Sequence, residues 1–205
     1  MPNPILLQCD RAVHSNAPAT AAVMRGLAAV HAILPRDIRA INYRPLIAGQ
    51  GLEVDQHLDN GSLGPNCVEH DSVQQSRKTD RWRAESSFAY TDLLITARDL
   101  VVGSWTSVVP YVLGFAGSGV AMVSVYRMAR EATSPAAGLK VIELVVAHEL
   151  VHSYGLVPDG AARMDRRGGI YHNHCTNPGC AMRQFGTVRE GEALLRTMGG
   201  RVVLR

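Results

Sequence analysis

The 205-residue chain has no basic run, no long apolar run and few cysteines, and each shortage removes a class of function. Its net charge is only +3, and its 21 lysines and arginines are scattered. The tightest groups, "SRKTDRWR" and "MDRRGG", each include an acid, so no segment is suited to tracking a phosphate backbone and no nucleic-acid partner is expected. The most apolar window, "LKVIELVVAHELVH", contains charges and is too short to span a membrane. The N-terminal "MPNPILLQCDRAVHS" shows neither a basic n-region nor an apolar stretch of signal-peptide length, which makes the cytoplasm the expected location. Four cysteines (Cys9, Cys67, Cys175 and Cys180) without an export signal favour thiols or metal ligands over a disulfide framework. Repeats and low-complexity tracts are also lacking.

What remains is a chain 46% hydrophobic and 19% charged, enough for a sizeable core in one soluble domain spanning 1–205. "ILLQC" (5–9) reads as a buried strand, and "ATAAVMRGLAAVHAIL" (19–34) as a helix ended by Pro35. "DIRAINYRPLI" (37–47) alternates like a strand, residues 48–68 read as a long loop, and 71–89 as a polar helix. "DLLITARDLVV" (92–102) reads as one buried strand. The stretch 104–129 carries two apolar pieces around Gly114–Gly119, a hairpin-like pair. Ser134 is an expected N-cap with Pro135 at the first helical position, and Gly155 a natural stop for the helix between them. A last helix is expected at 188–198. The class is mixed α and β.

The chemistry is concentrated in "AHELVHSYGL" (147–156). Residues four apart stand above one another on a helix, so His148 and His152 can both bind one ion, at roughly 2.0–2.1 Å for zinc. Glu149 lies one step round the helix, beside the place of a metal-bound water whose pKa the ion lowers toward about 7. A histidine on an apolar helix is commonly a hydrogen-bonded core residue. This helix is so apolar, however, that H-E-x-x-H would bury three polar groups at high cost without a partner, and a cation supplies one. The pattern H-E-x-x-H-x-x-G-x-x-H continues in metzincin peptidases, but here its last position is Pro158, which cannot bind metal.

Further along stands "HCTNPGCAM", with His174, Cys175, Cys180 and Met182. It resembles the H-C-x4-C-x-M of archaemetzincins, and "DLLITARDL" and "VLGFAGSGVAMVSVYRM" look like that family's cleft strand and glycine-containing hairpin. The resemblance runs from about Asp92 to Met182. It implies an α+β, metzincin-like zincin: a twisted mixed sheet, an antiparallel edge strand over a cleft and an active-site helix in an N-terminal lobe (1–155). The third ligand, a methionine turn at Met182 and the final helix would then form a small C-terminal lobe (156–205). His174 is implied as third ligand, delivered past an inserted surface loop within 156–173 whose length costs little entropy. His172 and Asp159 remain rivals, since another zinc-peptidase family uses an aspartate nearby. "SGVAMVSV" (118–125) is implied as the edge strand that pairs with substrate.

The chain departs from the family after Met182. Archaemetzincins add a C-x-x-C pair there that completes a structural zinc site with the two earlier cysteines, and nothing of the kind follows here. Cys175 and Cys180 are then plain thiols, a local disulfide, or half of a site completed elsewhere, for which Cys67 and His70 in "CVEH" are candidates. Tyr154 and Tyr171 flank the motif, and packing is the plainer role for both. The resulting expectation is a zinc metalloprotease, a hydrolase acting on peptides or proteins with one catalytic Zn²⁺ and Glu149 as general base. The alternatives are a catalytically weak zinc-containing peptide-binding module, or a protease whose 156–173 insertion acts as a lid.

Overall fold

The computed structural model describes residues 5–33, 67–69, 91–101, 111–117, 120–156, 163–165 and 174–204. The strand expected at 37–47 and the helix at 71–89 lie outside them, as do Asp159, Tyr171, His172 and His70. Strands β1 (Ile5–Cys9), β3 (Thr91–Thr96), β6 (Val120–Ser124) and β5 (Gly114–Gly117) form a four-stranded sheet in the order β1-β3-β6-β5. The first three run parallel, and β5 is antiparallel to β6. A second, two-stranded parallel sheet joins β2 (Cys67–Glu69) to β4 (Asp99–Val101).

The strands read as unbroken apolar runs because both faces of the sheet are covered. Alternate side chains point to opposite faces, and the core divides accordingly. Leu93 and Ile95 of β3 and Ala121 and Val123 of β6 join the main core, while Leu94, Val120 and Met122 join a smaller cluster with Leu100, Val112 and Phe115 on the other side.

Against the main-core face lie α2 (Ala17–His31), α4 (Pro135–Ser153) and α5 (Val188–Thr197), with short turns of helix at α1 (Arg11–His14) and α3 (Met128–Glu131). Helix α4 is central: α2 and α5 pack along it, and it lies on β5 and β6. Every residue from 141 to 151 is buried, as expected of a helix that is apolar all round. It begins as its sequence foretells, with the Ser134 side chain accepting from the Ala137 N–H and proline at the start. No helix among the described residues is long and apolar enough to cross a membrane.

Four local expectations need correction. The single strand 92–102 is two, because the chain bends at Ala97–Arg98, where Asp10 accepts from the Thr96 hydroxyl (2.9 Å) and the Ala97 N–H (2.6 Å). The loop drawn through 48–68 ends in strand β2 at Cys67. The helix drawn to residue 34 stops at His31, since Ala32 and Ile33 no longer face the core and Ile33 is exposed. Finally, 118–125 is not the edge strand. Its described part, β6, is paired on both sides and buried throughout; among the described residues the outermost strand on that side is β5, residues expected to form the turn.

Candidate metal centre

Helix α4 delivers His148 and His152 one turn apart, near its C-terminal end. The helix stops just beyond them because Gly155 takes φ 61°, the left-handed conformation that costs other residues strain. The Gly155 N–H donates to the His152 carbonyl (2.9 Å) and the Leu156 N–H to the Val151 carbonyl (3.1 Å), the paired bonds of a Schellman cap. The chain thus leaves the helix sharply after the second histidine.

The return segment brings the third histidine back. Residues 163–165, within the segment that joins Leu156 to His174, pair antiparallel with 174–176. The Asp165 N–H donates to the His174 carbonyl at 2.7 Å and the Thr176 N–H to the Arg163 carbonyl at 2.8 Å. A tight turn follows, in which the Cys175 N–H donates to the Met182 carbonyl (2.7 Å) and the Ala181 N–H to the Val203 carbonyl of the C-terminal tail (2.7 Å). That turn aims the Ala181 carbonyl at His148 Nδ1, 2.8 Å away. Met182 beside it is buried in the main core.

The three imidazoles converge. The Nε2 atoms of His148 and His152 are 3.1 Å apart, those of His148 and His174 3.1 Å, and those of His152 and His174 3.2 Å. Nitrogens bound tetrahedrally to zinc at about 2.0–2.1 Å would stand roughly 3.3 Å apart. Because a carbonyl only accepts, the bond to Ala181 puts the His148 proton on Nδ1 and leaves Nε2 a bare lone pair facing the other two rings. Burial holds His148 well below its ordinary pKa, and repulsion from His152 and His174 adds to this, so the ring is neutral at pH 7. Phe185 meets its ring edge-on at 5.3 Å. A triangle of imidazole nitrogens with one backbone-anchored member fits a borderline-soft dication such as zinc.

Glu149 is buried beside this triangle, and the loss of solvent pushes its carboxyl up to about 8. Its side chain lies against Gly114 at the start of β5.

Of the sequence candidates, His148, His152 and His174 are brought together, while Asp159 and His172 lie outside the described residues. Cys175 and Cys180 are buried free thiols within hydrogen-bonding reach of one another, not a disulfide, and Cys175 Sγ also accepts from the Asn177 N–H. Among the described residues, the three histidines form the one group of three or more donors close enough to share an ion. Cys67 opens β2 on the other sheet. Tyr154 packs against the core. Sequence reasoning missed the Ala181 carbonyl, Gly114 and the 163–165 pairing. All three act through backbone or through the absence of a side chain, which leaves no signature in residue type.

A helix-borne histidine pair, joined by a third histidine from beyond a loop and set against a mixed four-stranded sheet, defines an archaemetzincin-like fold. Two solved structures share it. A zinc-dependent peptidase from Methanocorpusculum labreanum (strain Z) is similar at 22% identity over 92% of each chain, with a TM-score of 0.57. Archaemetzincin from Methanopyrus kandleri is similar at 15% identity over 97% of this chain and 96% of its own, with a TM-score of 0.52. No protein-family model and no curated protein matches the chain.

Proposed function

We propose that this chain is a zinc-dependent metallopeptidase in which His148, His152 and His174 hold the ion and Glu149 is the general base. The observation that carries the reading is the closure of three imidazole nitrogens to within 3.2 Å of one another, with a buried carboxylate on the adjoining residue. The names of the two solved relatives, a zinc-dependent peptidase and an archaemetzincin, agree with it. When bound there, zinc supplies a Lewis acid that polarises a scissile carbonyl and makes water a nucleophile near neutral pH. Glu149, whose raised pKa the charge of a bound cation would lower so that the group ionises, takes the proton from the attacking water on a carboxylate oxygen and returns it to the amide nitrogen, so the amine leaves neutral as the C–N bond breaks. The Ala181 carbonyl keeps His148 in the tautomer that binds metal, and Met182 anchors the turn carrying that carbonyl in the core. The substrate is an extended peptide that runs along β5, the outermost strand beyond β6 among the described residues, backbone to backbone, rather than along β6.

Metal analysis and a peptide library test this together. Purified protein should carry zinc, His174→Ala should lose it, and His172→Ala and Asp159→Ala should keep it. Glu149→Ala should keep zinc while cleavage falls by roughly 10²–10⁴-fold. A Glu149→Ala protein cleaving at the wild-type rate would overturn the assignment of the base. A zinc-loaded wild type that captures peptides without cutting any would make the chain a binding module.

A further inference from the structure

At its first position, β5 approaches Glu149 so closely that only glycine leaves room for it. A Cβ placed on Gly114 would stand 2.6 Å from Cγ, 2.8 Å from Oε1 and 2.9 Å from Cδ of Glu149, and these are its three nearest atoms. Ordinary carbon contacts lie at about 3.5–4.0 Å. Backbone conformation does not explain the glycine, since the positive-φ glycines are Gly155, Gly199 and Gly200, and Gly114 sits in regular register opposite Val123. The backbone is pinned there as well, because the preceding Leu113 carbonyl accepts from the Ser124 N–H at 2.9 Å. An added methyl group would therefore be accommodated by movement of the Glu149 side chain rather than of the strand.

We propose that Gly114 is a positioning residue for the base. Its bare backbone forms the wall on which the Glu149 side chain rests, so the strand proposed to meet the peptide also sets where the carboxylate stands. This rests on the reading of Glu149 as general base, and it assigns to β5 a role beyond holding substrate. A displacement of about 1 Å in a catalytic group can cost on the order of a hundredfold in rate.

The test uses wild type, Gly114→Ala, Glu149→Ala and the double variant. Gly114→Ala should keep the wild-type zinc content and a KM within about twofold, while kcat falls about a hundredfold. In the Glu149→Ala background the same substitution should cost no further rate. Melting of the zinc-free proteins supplies an independent readout: Gly114→Ala should lower the midpoint when Glu149 is present and leave it unchanged when residue 149 is alanine. If Gly114→Ala fails to fold, rescue by Glu149→Ala supports the contact. Wild-type kcat in Gly114→Ala, equal melting losses in both backgrounds, or a double variant that stays unfolded where Glu149→Ala folds would each overturn the proposal. A wild type without peptidase activity would remove the catalytic reading, and the melting comparison would still decide the contact separately.

Discussion

His148 shows how much of a site one residue type can announce and how much it cannot. The spacing of His148, Glu149 and His152 is legible because a helix turns a four-residue interval into a shared face. The acceptor on Nδ1 is not legible, because every residue has a carbonyl and only the turn from Cys175 to Met182 selects that of Ala181. Glycines divide in the same way. Gly155 was readable as a helix stop and is one; Gly114 was read as turn punctuation and lies in a strand for lack of space. The two also differ in what a mutation should do. Among the described residues a Cβ on Gly155 would meet nothing within 4 Å, so the expected cost of Gly155→Ala is backbone strain, about 1 kcal/mol. Asparagine tolerates the left-handed region better and valine worse. Urea unfolding should therefore rank stability as glycine, asparagine, alanine, valine; four equal midpoints would mean that φ 61° is not needed here.

Among elements, α4 and α5 were legible and the sheet only partly so. Helix α4 carries its own start and stop signals, and α5 opens on a capping box in which Thr187 and Glu190 satisfy each other's backbone. In the sheet, a run buried on both faces loses the alternation that would mark its inner and outer sides. Sequence alone then cannot say which of two neighbouring strands lies outermost, so the pattern points to 118–125 whereas β5 lies beyond it among the described residues. Docking of α5 has its own charged anchor. Glu192 of α5, buried, accepts from the Thr133 N–H at 2.6 Å and the Thr133 hydroxyl at 3.0 Å. The Thr133 N–H, helped by the hydroxyl and Arg189, holds its carboxyl below the usual glutamate value. A depressed folded-state pKa contributes stability above the unfolded value of about 4.3, and that contribution is lost as pH falls through the folded one. Glu192→Gln should thus cost about 1 kcal/mol at pH 7. Because a protonated glutamate resembles glutamine, the gap should close on acidification below about pH 4. Urea titrations of both proteins across that range check this, and a gap that widened with acid would contradict the stated sign.

For the whole molecule, three pieces distant in sequence meet around His148 and Glu149: α4, the 174–182 turn against the histidine and the glycine end of β5 against the glutamate. That a third histidine would return was legible in "HCTNPGCAM", and His174 does stand with the other two, its Nε2 3.1 Å from that of His148 and 3.2 Å from that of His152. How it returns was not. Loop entropy says only that a long insertion is tolerated, whereas part of this insertion is paired with the third histidine itself through the Asp165 N–H and the His174 carbonyl. The insertion is thereby part of the scaffold holding His174, which argues against reading all of it as a removable lid. Asp165→Pro deletes that N–H donor, whereas Asp165→Ala removes the side chain and keeps it. One backbone hydrogen bond is worth about 1 kcal/mol, roughly a fivefold change in an equilibrium constant. Competition with a chromophoric chelator should accordingly find zinc held about fivefold more weakly by Asp165→Pro than by Asp165→Ala. Equal affinities would mean that His174 is held from the Cys175–Met182 side alone, where the Cys175 N–H and Met182 carbonyl already close the turn without help from the insertion.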